Sequence, residues 1–204
     1  MFDRFSADFT PTAREPRRVE EAASPAILSK LFDSYGGTSF NNGIYRIHTP
    51  GSSKAASKAA AEAYPALRMP LVCFGFDWLG RQFALDLDRG TREDPEVVLL
   101  EPGTGEALEV PVSFSEFHDV ALFRYRDSCL FPDWFADWLA SGGAAPAFTE
   151  CVGYKRPLFL GGEDETPNLE LTDLDVYWSR MGQLLIATRD LPDGSPVPHL
   201  KLSN

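Results

Sequence analysis

The stretch Phe74-Gly75-Phe76-Asp77-Trp78-Leu79-Gly80-Arg81-Gln82-Phe83-Ala84-Leu85-Asp86 leaves little freedom in local structure. Phe74 and Phe76 fall on one face of an extended chain. Past the turn, Gln82, Ala84 and Asp86 share one face while Arg81, Phe83, Leu85 and Leu87 share the other, and this period of two belongs to a β-hairpin. Asp77-Trp78-Leu79-Gly80 suits the turn, because Asp bonds its own nearby backbone and Gly tolerates positive φ. Trp78 then stands at the tip between Asp77 and Arg81. A tryptophan so placed is either an anchor for a partner or a lid folded back onto the core.

The other elements build outward from this hairpin. Met1 to Arg18 reads as an irregular, Pro-punctuated segment whose Phe2, Phe5 and Phe9 tack the terminus onto the core. Ser24-Pro25 marks a helix start, Ile27, Leu28, Leu31, Phe32 and Tyr35 recur at helical spacing, and Gly36-Gly37 supplies the stop. Asn42-Gly43 predicts a tight turn before a short strand at Tyr45 to Ile47, and Ala55 to Tyr64 predicts a helix that ends ahead of Pro65. Glu96 to Leu100 and Ala107 to Pro111 flank Pro102-Gly103-Thr104-Gly105 as adjacent antiparallel strands. Ser113 to Glu116 has capping-box spacing, with Val112 and Phe117 placed as a hydrophobic staple. Phe131 to Leu139 is a helix too rich in aromatics to face water, ended by Gly142-Gly143, and Ala144 to Glu150 is the best internal boundary. A last helix follows Thr172 on Leu174, Tyr177, Met181, Leu184 and Leu185, and the tail from Asp190 reads as loose.

This order has no βαβ alternation. It predicts an α+β fold, a central antiparallel meander of about four to six strands with helices packed mainly on one face. The chain reads as one compact unit that divides into halves at residues 20–112 and 113–190.

Composition narrows the function classes. At 44% hydrophobic and 12% aromatic content the 204 residues can bury a real core. No run of about 18 apolar residues and no basic, apolar leader is visible, so the chain reads as cytoplasmic. Nineteen basic against thirty acidic residues give a net charge of −11, which repels phosphate backbones and anionic lipid and argues against nucleic-acid or membrane partners. The same field speeds encounter with a basic protein, and it also serves solubility alone.

Candidates for chemistry are sparse. Cys73, Cys129 and Cys151 lie far apart without CxxC spacing, which argues against a disulfide framework or a zinc knuckle. Pairing any of them with His48, His118 or His199 has no local signature behind it, and Cys73 between Val72 and Phe74 reads as a buried thiol. No GxSxG, HExxH or P-loop occurs, so no catalytic residue, metal or cofactor is expected. Trp78, Trp134, Trp138 and Trp178 read as core and lid, or else as the aromatic pocket of a small-ligand sensor.

Several blocks carry a family resemblance. Ser39-Phe40-Asn41-Asn42-Gly43, Phe74 to Asp86, and Glu101-Pro102-Gly103-Thr104-Gly105-Glu106 together resemble the bacterial GAD-like domain. Gly153 to Glu163, Asp173-Leu174-Asp175-Val176-Tyr177-Trp178 and Gly182-Gln183-Leu184 look like the domain that follows it in immunity proteins of type VI secretion systems, broadly related to the SUKH superfamily. The resemblance spans roughly residues 20 to 188. It implies a non-catalytic inhibitor of a cognate DNase-type toxin. Partner-contacting candidates are then Asp77, Trp78 and Arg81 at the hairpin tip, Glu163, Asp164 and Glu165 in the loop after Gly161-Gly162, and Asp173 and Asp175 at the start of the last helix. Each has a plainer use: framework packing for the first set, a solvated turn for the second, capping and dipole work for the third. Asp86, Asp88, Glu93, Asp94 and Glu96 form a second acidic stretch, interrupted by Arg89 and Arg92. The sequence does not choose between the two acidic regions.

Overall fold

A computed structural model describes residues 2–16, 26–65, 67 and 70–191. The central hairpin is one link of a seven-stranded sheet whose strands lie side by side in chain order: β1 (Pro11–Arg14), β2 (Thr38–Phe40), β3 (Tyr45–Ile47), β4 (Leu71–Asp77), β5 (Gln82–Gly90), β6 (Pro95–Glu101) and β7 (Glu106–Ser113). Every neighbouring pair is antiparallel. A separate two-stranded sheet pairs β8 (Glu150–Tyr154) with β9 (Leu169–Asp173). The helices are α1 (Asp3–Asp8), α2 (Ala26–Tyr35), α3 (Pro50–Ala63), α4 (Phe114–Glu116), α5 (Leu122–Arg124), α6 (Arg126–Leu130), α7 (Pro132–Ala140) and α8 (Leu174–Thr188), with a π-helical turn at Phe117–Ala121. The class is α+β and the sheet is a pure meander, longer than expected.

Both faces of this sheet are apolar, so both need a cover. On one face Phe83, Leu85, Val97 and Leu99 pack under Phe114, Phe117 and Leu122, with Phe5, Phe9, Leu28 and Leu31 completing the layer. On the other, Cys73, Phe76, Ala84, Val98 and Leu100 meet Ala60 and Ala63 of α3 and Tyr177, Trp178 and Met181 of α8. Helices therefore lie on two faces rather than mainly on one. The shared face expected for Phe74 and Phe76 is also corrected: a β-bulge shifts the register between Cys73 and Gly75, sending Phe74 to the first core and Phe76 to the second. Gly75 is required there, because a Cβ would collide with the Tyr45 hydroxyl.

Three local expectations change. The N-terminal segment is regular, a short helix and an edge strand, and Phe2, Phe5 and Phe9 are buried as foreseen. Helix α3 starts at Pro50, where Thr49 and Ser52 form a reciprocal capping box. Ser113 makes no capping bond; its hydroxyl meets that of Ser115, and Asp94 accepts from Ser115 N and Oγ at 2.9 and 2.7 Å. The Ser24-Pro25 helix start, His199 and the tail beyond residue 191 lie outside the described residues. No helix among the described residues is long and apolar enough to cross a membrane.

Candidate functional site

The hairpin tip collects Asp77, Trp78 and Arg81 into one buried group. Arg81 Nε donates to Asp77 Oδ2 at 2.7 Å, and Asp77 Oδ1 accepts from Arg81 N at 2.9 Å. The guanidinium lies over the Phe131 ring and donates to the carbonyls of Ser128 and Cys129 at 3.3 and 2.9 Å. Trp78 Nε1 donates to the Leu130 carbonyl at 2.8 Å, and its ring packs on Trp134 and Phe135. These are the last carbonyls of α6, left without intrahelical partners, so the tip acts as an internal cap for that helix. Gly80, at φ +77°, lets Cys151 and Leu174 close on the turn.

A second buried cation braces the tip from behind. Arg46 donates to the carbonyls of Asp77 at 2.6 Å, Ala147 at 2.7 Å and Glu150, while stacking over Phe76. Burial lowers it to about 10, against the upward pull of Cys151, Asp77 and Glu150. Together with Val152 N donating to Trp78 O at 2.7 Å, these bonds tie the Ala144 to Glu150 segment to the hairpin. Asp77 and Trp78 are 0% exposed and Arg81 2%. The tip is a lid, and none of the three has surface to offer a partner.

The acidic candidates have a different fate. Glu163, Asp164 and Glu165 are exposed in a loop held from within: Asn168 Nδ2 donates to the carbonyls of Arg156 and Glu163 at 2.8 Å each, and Trp134 Nε1 reaches Thr166 Oγ1 at 3.2 Å. Asp164 accepts from the Tyr154 hydroxyl at 2.6 Å. Glu163 and Glu165 have no ion pair among the described residues. Asp173 is the N-cap of α8, accepting from Val176 N at 3.0 Å, and Asp175 stands exposed in the first turn. In the other acidic stretch Asp86 is buried, and Arg89 bridges Asp86, Glu96 and Glu109. Within the loop, then, Glu163 and Glu165 are exposed and outside any ion pair among the described residues, as are Asp88 and Glu93 in the other stretch and Asp175 on α8, while Asp164 is held by Tyr154.

The sequence did not reveal a cleft of about 100 Å³ between α3 and α8. Its walls include Ala56, Ala59, Phe76, Phe148 and Trp178, with Asp175 and the pair His48 and Gln82 also lining it. His48 bonds Gln82 Oε1 through Nε2 at 2.7 Å and Ser52 Oγ through Nδ1 at 3.0 Å. That chain has the connectivity of nucleophile, base and orienter. Yet Ser52 Oγ is occupied by the Thr49 N–H of the capping box at 2.9 Å, and burial drives His48 down to about 4, too weak a base to activate it. The thiols fare no better: burial pushes Cys73 up to about 12 and Cys129 to about 11, and raises Cys151 further. His118, lowered by burial to about 3, spends its Nε2 on the Tyr45 hydroxyl at 3.1 Å. Among the described residues no three His, Cys, Asp or Glu side chains gather as a metal site.

No family model matches the chain, and no curated protein matches it. Among solved structures, the crystal structure of Atu4351 from Agrobacterium tumefaciens is similar, with a TM-score of 0.56 at 13% identity over 90% of this chain and 89% of that one. At that identity the likeness carries the fold alone.

Proposed function

We propose that this chain is a non-catalytic immunity protein of the cytoplasm that binds and neutralises a cognate type VI secretion nuclease by direct contact. The observation that carries the reading is the exposed acidic loop, in which Glu163 and Glu165 have no ion pair among the described residues, on a chain of net charge −11. Glu163 and Glu165 are presented on a loop fixed by its own hydrogen bonds and tied through Thr166 to the half-buried Trp134 of α7. A nuclease holds DNA with basic residues, and such a surface competes for them with little ordering cost. The resemblance blocks add support. They are scattered from Ser39 to Leu184 yet several touch in the fold: Trp178 Nε1 donates to Gly80 O of the hairpin, and Leu158 N donates to Gly103 O.

The test is co-expression of the tagged chain with the toxin encoded beside it, followed by pull-down and a DNA-degradation assay. A stable complex with intact DNA is expected; degraded DNA and no complex would overturn the reading. The alternative, a small-ligand sensor, draws on the cleft between α3 and α8 and predicts a ligand-dependent rise in thermal stability without any toxin.

A further inference from the structure

We infer that the cleft between α3 and α8 receives one cationic side chain, a lysine or arginine, from the surface of the protein partner; the identity of that partner rests on the immunity reading. Size restricts the occupant first. At about 100 Å³ the cleft is smaller than the roughly 150 Å³ cavity that holds benzene and far below the 300–1,000 Å³ of pockets for whole ligands, so it fits a single side chain. It opens into a groove of about 410 Å³ along the same helices, sharing Ala55, Ala59, Asp175 and Trp178, so a polypeptide segment can lie outside while one residue dips in.

Chemistry restricts it further. The alanines of α3 offer a smooth apolar wall for an alkyl stem, and Phe148 and Trp178 offer π-surfaces that favour a cation over a neutral group, while Phe76, already stacked by Arg46 and His48, adds apolar wall alone. Asp175 is the single charged residue of the lining, exposed and without an ion pair among the described residues. His48 bears no competing charge at neutral pH, since burial holds it down at about 4. On the groove wall Lys58 and Glu62 lie 3.7 Å apart and cancel each other. A carboxylate would be repelled by Asp175, whereas an ammonium or guanidinium is paired by it at the mouth. A desolvated anchor of this kind lengthens residence, complementing the acidic loop, which acts on encounter.

The experiment has two arms, both on the full chain. In the first, n-butylguanidinium and the neutral n-butanol are titrated while amide and indole resonances are followed by NMR. Saturable shifts at Trp178 and Ala59 are expected for the cation at low-millimolar concentration. They should weaken about fivefold in Asp175→Asn and vanish in Ala59→Leu, which fills the cleft from a half-exposed position; unchanged melting temperatures show that both variants fold. In the second arm, both variants should speed dissociation of the toxin complex by about tenfold. Absence of saturable shifts, or equal binding of n-butanol, overturns the inference. So does a complex indifferent to both variants, which leaves immunity itself standing. Absence of any complex overturns the immunity reading instead, and the fragment arm alone then decides what the cleft binds.

Discussion

Asp77 and Glu163 are both carboxylates in tight connections between strands or turns, and the protein uses them in opposite ways. At the hairpin tip the side chains are spent inside: Asp77 holds Arg81, and Arg81 with Trp78 satisfies the end of α6. In the loop from Gly161 to Glu165 the backbone is spent inside, on Asn168, and the side chains of Glu163 and Glu165 are left to solvent. Both regions are pinned by hydrogen bonds, yet only the second has charge available to another molecule. Hydrogen bonding alone, then, does not leave a surface free for a partner; the direction in which that bonding capacity is spent decides it.

Removing Asp77 should break this contrast most severely. Asp77→Ala leaves the Arg81 guanidinium buried with only two carbonyl acceptors, and an uncompensated buried charge costs about 3–5 kcal/mol. The thermal midpoint should fall on the order of 10 °C. The double variant Asp77→Ala/Arg81→Ala should lose less than the sum of the single losses, because the pair is coupled. Additive losses in urea unfolding would show that the two charges act separately and that the tip is not one unit.

Acid separates the regions next. Burial depresses His48 to about 4 and His118 to about 3, below the usual 6.5, so the unfolded chain binds protons that the folded one refuses. The stability these imidazoles contribute is complete above pH 6.5 and is lost as pH falls toward 4, by about 2 kcal/mol per histidine between pH 7 and 5. Glu101, raised by burial, opposes the trend by taking up a proton in the folded state. His118→Phe, set among Phe2, Phe5, Phe74 and Phe117, should roughly halve the pH dependence measured by urea midpoints. An unaltered slope would mean that His118 does not contribute to it.

These buried groups also mark the limit of what the sequence reveals. The hairpin and the strands after it were readable because period-two patterning is a local signal, and the C-terminal helix was readable for the same reason at period 3.6. The bulge at Phe74 was not recognised: Gly75 inside a strand pattern is a bulge signal, but a glycine there equally serves the close approach of Tyr45, and the two are separated only once the register is seen. Whether Trp78 anchored a partner or closed the core depended on Leu130, 52 residues away. The cleft depended on Gln82 meeting His48 across the sheet. The start of α3 differs: Thr49-Pro50-Gly51-Ser52 is a readable signal that the alanine run beyond it obscured.

The smallest effects belong to the acidic candidates, and they sharpen the comparison because their stability and binding consequences separate. Asp173→Ala removes the cap of α8 and should cost about 1 kcal/mol, so this carboxylate belongs with the framework despite its exposure. Reversal at Glu163→Lys and Glu165→Lys should move stability by no more than about 0.5 kcal/mol, since neither side chain has an ion pair to lose. Under the proposed immunity function, its effect should fall on association with the toxin, slowing it by about tenfold at low salt and less as salt is raised, while dissociation changes little. Stopped-flow mixing at two ionic strengths reads this directly. A salt-independent loss confined to the dissociation rate would place these carboxylates in a desolvated contact, and the loop would then be an anchor like the cleft rather than the surface that guides the partner in.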